Sequence, residues 1–169
     1  GQMVATLKVI PYFVSEAICH EFEQVLAGKT AFHFHPLRGR QVSLIQTMGH
    51  VLQDKVYAAT EAVTETRLHQ LGCKLISRQR CAHNSVDVAA EIQAARTAGA
   101  ELILLCGCSA IADRQDILPM AIEDAGGQID QLGLAVDPGN MLLIGHIDSL
   151  PVIGMPGCAR SPKLNGFDW

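Results

Sequence analysis

The 169-residue chain has no apolar run long enough to cross a bilayer, and nothing at its N-terminus reads as a signal peptide. A helical membrane protein and a secreted product are thereby disfavoured, and a cytoplasmic location is the expectation. There is no excess of positive charge: 13 Lys and Arg stand against 17 Asp and Glu, for a formal net charge of −4. Nonspecific nucleic-acid affinity comes mainly from clustered cations, so a general nucleic-acid binder is disfavoured too. The six cysteines (Cys19, Cys73, Cys81, Cys106, Cys108 and Cys158) lack the paired Cys-x-x-Cys spacing of structural zinc. Scattered through apolar runs, they read as reduced thiols rather than a disulfide framework. No Gly-x-Gly-x-x-Gly follows an expected strand, which removes the dinucleotide fingerprint, and no serine sits in a nucleophile elbow. Neither an internal repeat nor a low-complexity segment occurs.

What is present is a globular composition, 49% apolar, in a chain long enough for one sizeable core. Gly1 is not a natural start and no polar tail follows Trp169, so a fragment of a longer protein is expected. The pattern divides near residues 38–41, into an N-terminal αβ segment (1–40) and a main domain (41–169). In the first segment, 3–10 and 32–36 read as strands. Between them Ser15 caps a helix that carries Ile18, Phe22, Val25 and Leu26 on one face and ends at Gly28. In the main domain strands are expected at 42–47, 73–80, 101–106, 141–144 and 152–155. Helices are expected at 56–71, 85–98 and 116–125, closed by Gly72, Gly99 and Gly126. The Leu-Ile-Leu-Leu run at 102–105 is apolar throughout, as a strand covered on both faces must be. Strands alternating with helices predict an α/β fold, a mainly parallel sheet with helices on both faces.

Ligands of open α/β sheets bind beyond the carboxyl ends of the strands. Two loops there carry candidate chemistry. The first runs Gly107-Cys108-Ser109-Ala110-Ile111-Ala112-Asp113-Arg114-Gln115-Asp116. Its small residues let a ligand approach backbone amides, and the helix that follows favours an anion at its N-terminus. The second runs Gly154-Met155-Pro156-Gly157-Cys158-Ala159-Arg160-Ser161-Pro162-Lys163 and brings two cations beside Gly and Ser. Spacing leaves each loop open to a second reading, as an ordinary turn. The turn Val136-Asp137-Pro138-Gly139-Asn140 is a possible third wall. His33 and His35 share a face of an expected strand, and Cys108 with Cys158 would form a soft-metal or redox pair if the loops met. Packed strands and passive thiols are the simpler readings of both, and no metal ligand is assigned.

In this order the segments resemble the molybdopterin-binding domain of the MoaB, MogA and MoeA proteins, over residues 42–169. The motifs are Gly107-Cys108-Ser109 followed by Arg114-Gln115-Asp116, then Asp137-Pro138-Gly139-Asn140, then Gly154-Met155-Pro156-Gly157. The ending through Leu164-Asn165-Gly166-Phe167-Asp168-Trp169 is similar to a bacterial branch in which this domain precedes a nucleotidyltransferase-like or glycosyltransferase-like domain. The resemblance implies a three-layer α/β/α sandwich, a pterin phosphate at the Gly-rich loop, self-association, and a place in molybdenum-cofactor biosynthesis. Carried over, Gly107, Cys108, Ser109 and Ala110 present amides and a hydroxyl to phosphate, with Asp113 and Gly139 beside them. Asp116 orients the loop or a metal-bound water, as the candidate catalytic residue. Pro156, Gly157, Arg160, Ser161 and Lys163 form the opposite wall.

Two positions depart from the family pattern. Cys108 replaces the second Gly of a Gly-Gly pair, and Ala82-His83-Asn84 stands where catalytic members carry paired carboxylates. Magnesium prefers such hard oxygen ligands. The leading expectation is therefore a domain that binds molybdopterin or a nucleotide derivative of it, with magnesium a possible companion. The alternatives are a Mg/ATP-dependent molybdopterin adenylyltransferase and a non-catalytic interaction domain attached to a cytidylyltransferase-like enzyme.

Overall fold

The computed structural model describes residues 6, 11–30, 33, 36–49 and 52–168. The chain divides into two compact units, Gly1–Pro36 and Leu37–Trp169. In the first, α1 spans Glu16–Leu26. Ser15 stands extended at its N-cap, and its hydroxyl accepts the Ile18 amide at 3.4 Å. Gly28 follows with a φ of +73°, the left-handed conformation that ends helices. The strands expected at 3–10 and 32–36 lie mostly outside the described residues.

The second unit is a six-stranded sheet in the order β2-β1-β3-β6-β5-β4. The strands are β1 (Gln41–Met48), β2 (Lys74–Ala82), β3 (Leu102–Cys106), β4 (Gln128–Leu132), β5 (Leu143–Ile147) and β6 (Leu150–Gly154). Between them run α2 (Asp54–Gln70), α3 (Ser85–Thr97) and α4 (Ile117–Asp124). β1, β2, β3 and β6 are mutually parallel, while β5 runs antiparallel to both β6 and β4. This is the expected α/β architecture with a mainly parallel sheet.

Period-two alternation assigns the two cores. Val42, Leu44, Leu104 and Cys106 pack with Leu68 of α2, Met155 and Ala159. Their neighbours Ile45, Ile103 and Leu105 pack on the other face with Val88 and Ile92 of α3 and Leu118 and Ile122 of α4. Both faces of β1 and β3 are thus covered, and Ile45, Ile103 and Leu105 are fully buried.

Two local details differ from expectation. The N-cap of α3 is Asn84 rather than Ser85: Asn84 is extended, and its side-chain oxygen accepts the Asp87 amide at 2.8 Å. β4 was not expected, because Gln-Ile-Asp-Gln-Leu is short, polar and only partly buried, as an edge strand can be. Gly72, Gly99 and Gly126 do follow their helices at positive φ.

Since β1, β2, β3 and β6 point the same way, the segments after Met48, Ala82, Cys106 and Gly154 all leave from one edge of the sheet. The turn before β5 reaches that edge as well, because β5 pairs its first residue, Leu143, with Gly154.

Candidate functional site

The carboxyl edge is organised by one buried hydroxyl. Thr47, near the end of β1, lies between Cys81 of β2, its register partner, and the residue that follows β3. It is fully buried, as are Ser43 and Gln46 of the same strand. Its Oγ1 accepts the Cys108 amide at 2.8 Å and lies 2.8 Å from His83 Nδ1. On the far side of that ring, His83 Nε2 lies 2.9 Å from Ser109 Oγ. Thr47, Cys108, His83 and Ser109 are therefore linked across the ends of three strands. Next to them is a cavity of about 520 Å³ lined by Met48, Gly49, Ala82, His83 and Cys108.

Close packing explains the small residues here. A Cβ on Gly107 would meet the Ser109 carbonyl at 2.9 Å and Leu118 Cδ1 at 3.2 Å. A Cβ on Gly49 would meet Cys108 Sγ at 2.7 Å, so the turn after β1 rests on the Cys108 side chain. Tyr57 of α2 fixes that turn by accepting the Gly49 amide on its hydroxyl at 3.1 Å.

The rest of the first loop is ordered from its C-terminal end. Asp116 is the N-cap residue of α4, and its carboxylate accepts the amides of Ala112 and Asp113. Asp113 accepts the Gln115 amide in turn. Those two backbone donors hold the Asp116 carboxyl below the usual carboxylate range, with His83 a smaller influence in the same direction. Burial lowers the His83 pKa, partly offset by the Asp116 charge, so the imidazole is neutral at pH 7. Burial also raises Cys106, and raises Cys81 to about 11, which keeps both as inert thiols.

The expected site residues fall into three places. Gly107, Cys108, Ser109, Ala110, Asp113 and Asp116 share the first loop. The Cys108 amide is engaged by Thr47, whereas the Ser109 and Ala110 amides donate to no group among the described residues. Arg160 joins this loop from the second one: its guanidinium donates to the Gly107 carbonyl at 2.6 Å and to Thr60 Oγ1 of α2 at 3.1 Å. Pro156 is buried at the start of a 3-10 turn over Gly157–Arg160, with Gly157 exposed. Ser161 and Lys163 lie elsewhere, along α2. Their carbonyls accept from Arg67, at 2.8 and 3.3 Å, and Ser161 Oγ accepts the Lys163 amide. Gly139 takes a φ of +116° and packs on Gly166, whose amide donates to Pro138. No described bond ties Ser161, Lys163 or Gly139 to the Gly107–Ala110 turn.

Sequence reading missed Thr47, Thr60 and Arg67. The signal for Thr47 was a hydroxyl near the end of a buried strand, where a polar group needs a partner. Among the described residues no three His, Cys, Asp or Glu side chains converge as a candidate metal site. No described helix is long and apolar enough to cross a membrane.

No known family profile matches the chain, and no curated protein matches it in sequence. Solved structures do match. A molybdopterin biosynthesis MoeA protein from Pyrococcus horikosii aligns with a TM-score of 0.51 at 21% identity, over 71% of this chain and 30% of that one. A molybdenum cofactor biosynthesis protein B aligns with a TM-score of 0.53 at 12% identity, over 74% of this chain and 84% of that one. A MogA structure aligns at 0.47 and 17% identity, over 73% and 85%. The second unit is thus similar in fold to MoaB-like proteins, and the chain spans under a third of the length of the MoeA protein it matches.

Proposed function

We propose that the second unit binds the phosphate of a molybdopterin-type ligand at the turn Gly107–Ala110, and that it serves molybdenum-cofactor biosynthesis as the binding domain of a longer protein. The observation that carries this reading is the pair of unpartnered amides at Ser109 and Ala110. They stand beside the Ser109 hydroxyl, on a loop fixed at both ends by Thr47 and Asp116. Donors held in place before a ligand arrives need no reorganisation to meet phosphate oxygens. The fold supports the choice of ligand, because the similar structures are described as molybdopterin and molybdenum-cofactor biosynthesis proteins.

In this reading Gly107 keeps the turn tight, Asp116 positions its amides, and Arg160 clamps its carbonyl side. Asp116 acts through the loop rather than on a reacting atom, since both of its described partners are loop amides. Binding is preferred to adenylyl transfer for a physical reason. His83 and Asn84 are uncharged at neutral pH and already engaged, so they bring no carboxylate to a metal-nucleotide. Calorimetric titration with molybdopterin or a phosphorylated pterin is expected to give saturable heat; none at millimolar ligand sinks the proposal.

A further inference from the structure

The polarity of the hydrogen bonds through His83 follows from counting protons. Thr47 Oγ1 has one proton to give, and its oxygen already accepts the Cys108 amide. The hydroxyl is fully buried, and among the described residues His83 Nδ1 is its one acceptor. A buried hydroxyl proton left without an acceptor is costly, so Nδ1 must be the bare nitrogen and Nε2 must carry the ring proton. Nε2–H then donates to Ser109 Oγ, 2.9 Å away. The serine proton is turned away from the ring, and no described protein group accepts it. Ser109 is exposed and next to the two unpartnered amides.

We infer that Cys108 N–H, Thr47 O–H, His83 Nε2–H and Ser109 O–H form a one-way donor chain that ends as a hydrogen-bond donor for an acceptor-only oxyanion. The chain makes neutral His83 and Ser109 specificity residues for phosphate or sulfate-like groups. Each donor in such a chain polarises the next, so the terminal hydroxyl is a better donor than an isolated serine. Burial supports the neutral ring. The charged group acting on it from α4 is Asp116, with Asp87 of α3 held by Asn84 and the Cys108 thiol in the same cavity. The opposite polarity, with Nδ1–H donating to Thr47, would make His83 a base toward Ser109 and strand the Thr47 proton. The inference deepens the phosphate-site proposal and rests on it only for the identity of the ligand.

The test is nitrogen NMR of the histidine rings in the intact chain at pH 7.5, with His83 assigned by loss of its signals in His83→Ala. The expected pattern is a protonated Nε2 and a bare Nδ1, with His83 signals that shift on titration with inorganic phosphate. Thr47→Val is expected to mix the two tautomers, and Ser109→Ala to weaken phosphate binding by about tenfold, the loss of one charge-assisted hydrogen bond. A protonated Nδ1 in the unaltered chain overturns the inference. So does unchanged phosphate affinity in Ser109→Ala, or no response of His83 to phosphate at tens of millimolar. If phosphate binds as stated and a phosphorylated pterin binds no better than phosphate, the ligand reading fails while the donor chain stands.

Discussion

Two of the polar clusters within the second unit are built on opposite logic. One is the chain Thr47–His83–Ser109 at the carboxyl edge. The other surrounds Arg67 on α2. Arg67 donates to the Ala159 carbonyl at 2.6 Å, to the Ser161 and Lys163 carbonyls, and to both oxygens of Asp168. Phe167 lies under the guanidinium at 5.8 Å, and the Arg67 and Asp168 side chains are each 13% exposed. Each guanidinium nitrogen of Arg67 has an acceptor, so the cluster closes the chain's last segment over α2. The carboxyl edge ends in donors with no partner among the described residues. On the proposed reading, donors left over after folding mark the binding site, whereas the Arg67 guanidinium is engaged within the protein.

Breaking the closed cluster is expected to have the largest effect. Arg67→Ala removes the cation paired with Asp168 and leaves the Ala159 and Ser161 carbonyls without their donor, while Asn165 still donates to Asp168 and to the Lys163 carbonyl; it should cost about 3–5 kcal/mol in urea unfolding. Arg160→Ala comes next: it frees the Gly107 carbonyl and Thr60, for a loss of about 1–3 kcal/mol, and loosens the anion turn. In the same assay Asp116→Ala should cost on the order of 1 kcal/mol, because the loop is partly exposed. The Asp116 contribution has a definite pH window. Its folded pKa is depressed, so the stabilisation is complete above about pH 4 and is lost as pH falls through the lower folded value. A stability profile flattened at acid pH in Asp116→Ala would confirm it. The smallest effect is Lys163→Ala, within about 0.5 kcal/mol, since the side chain is exposed and only the backbone is engaged. Thiol reactivity sharpens the picture of the edge: at pH 8 a maleimide should modify exposed Cys19 and spare Cys81 and Cys106, read by peptide mass mapping.

The sheet was legible in the sequence because β3, β5 and β6 are short and largely apolar and the helices end at glycines. Leu-Ile-Leu-Leu at 102–105 announces a strand covered on both faces, and Gly72, Gly99 and Gly126 mark where the chain turns back. β4 escaped because an edge strand needs little apolar surface. The first anion loop was legible through Gly107 and the small residues after it. The partition of the second loop was not. Arg160 and Lys163 are three residues apart, yet one side chain reaches the Gly107 carbonyl while only the other's backbone is held, by Arg67. That outcome depends on the path of α2, which local spacing does not encode. His83 was visible as an uncharged residue where carboxylates were expected, but its partners, Thr47 and Ser109, are 36 and 26 positions away.

The central claim is that the open donors of Ser109 and Ala110 bind phosphate and that the cations of the last segment do not. Parallel calorimetric titrations with a phosphorylated pterin put it to the test, using the unaltered chain, Ser109→Ala and Lys163→Ala. The account predicts affinity about tenfold weaker in Ser109→Ala and unchanged in Lys163→Ala. Unchanged affinity in Ser109→Ala, or a comparable loss in Lys163→Ala, would contradict it.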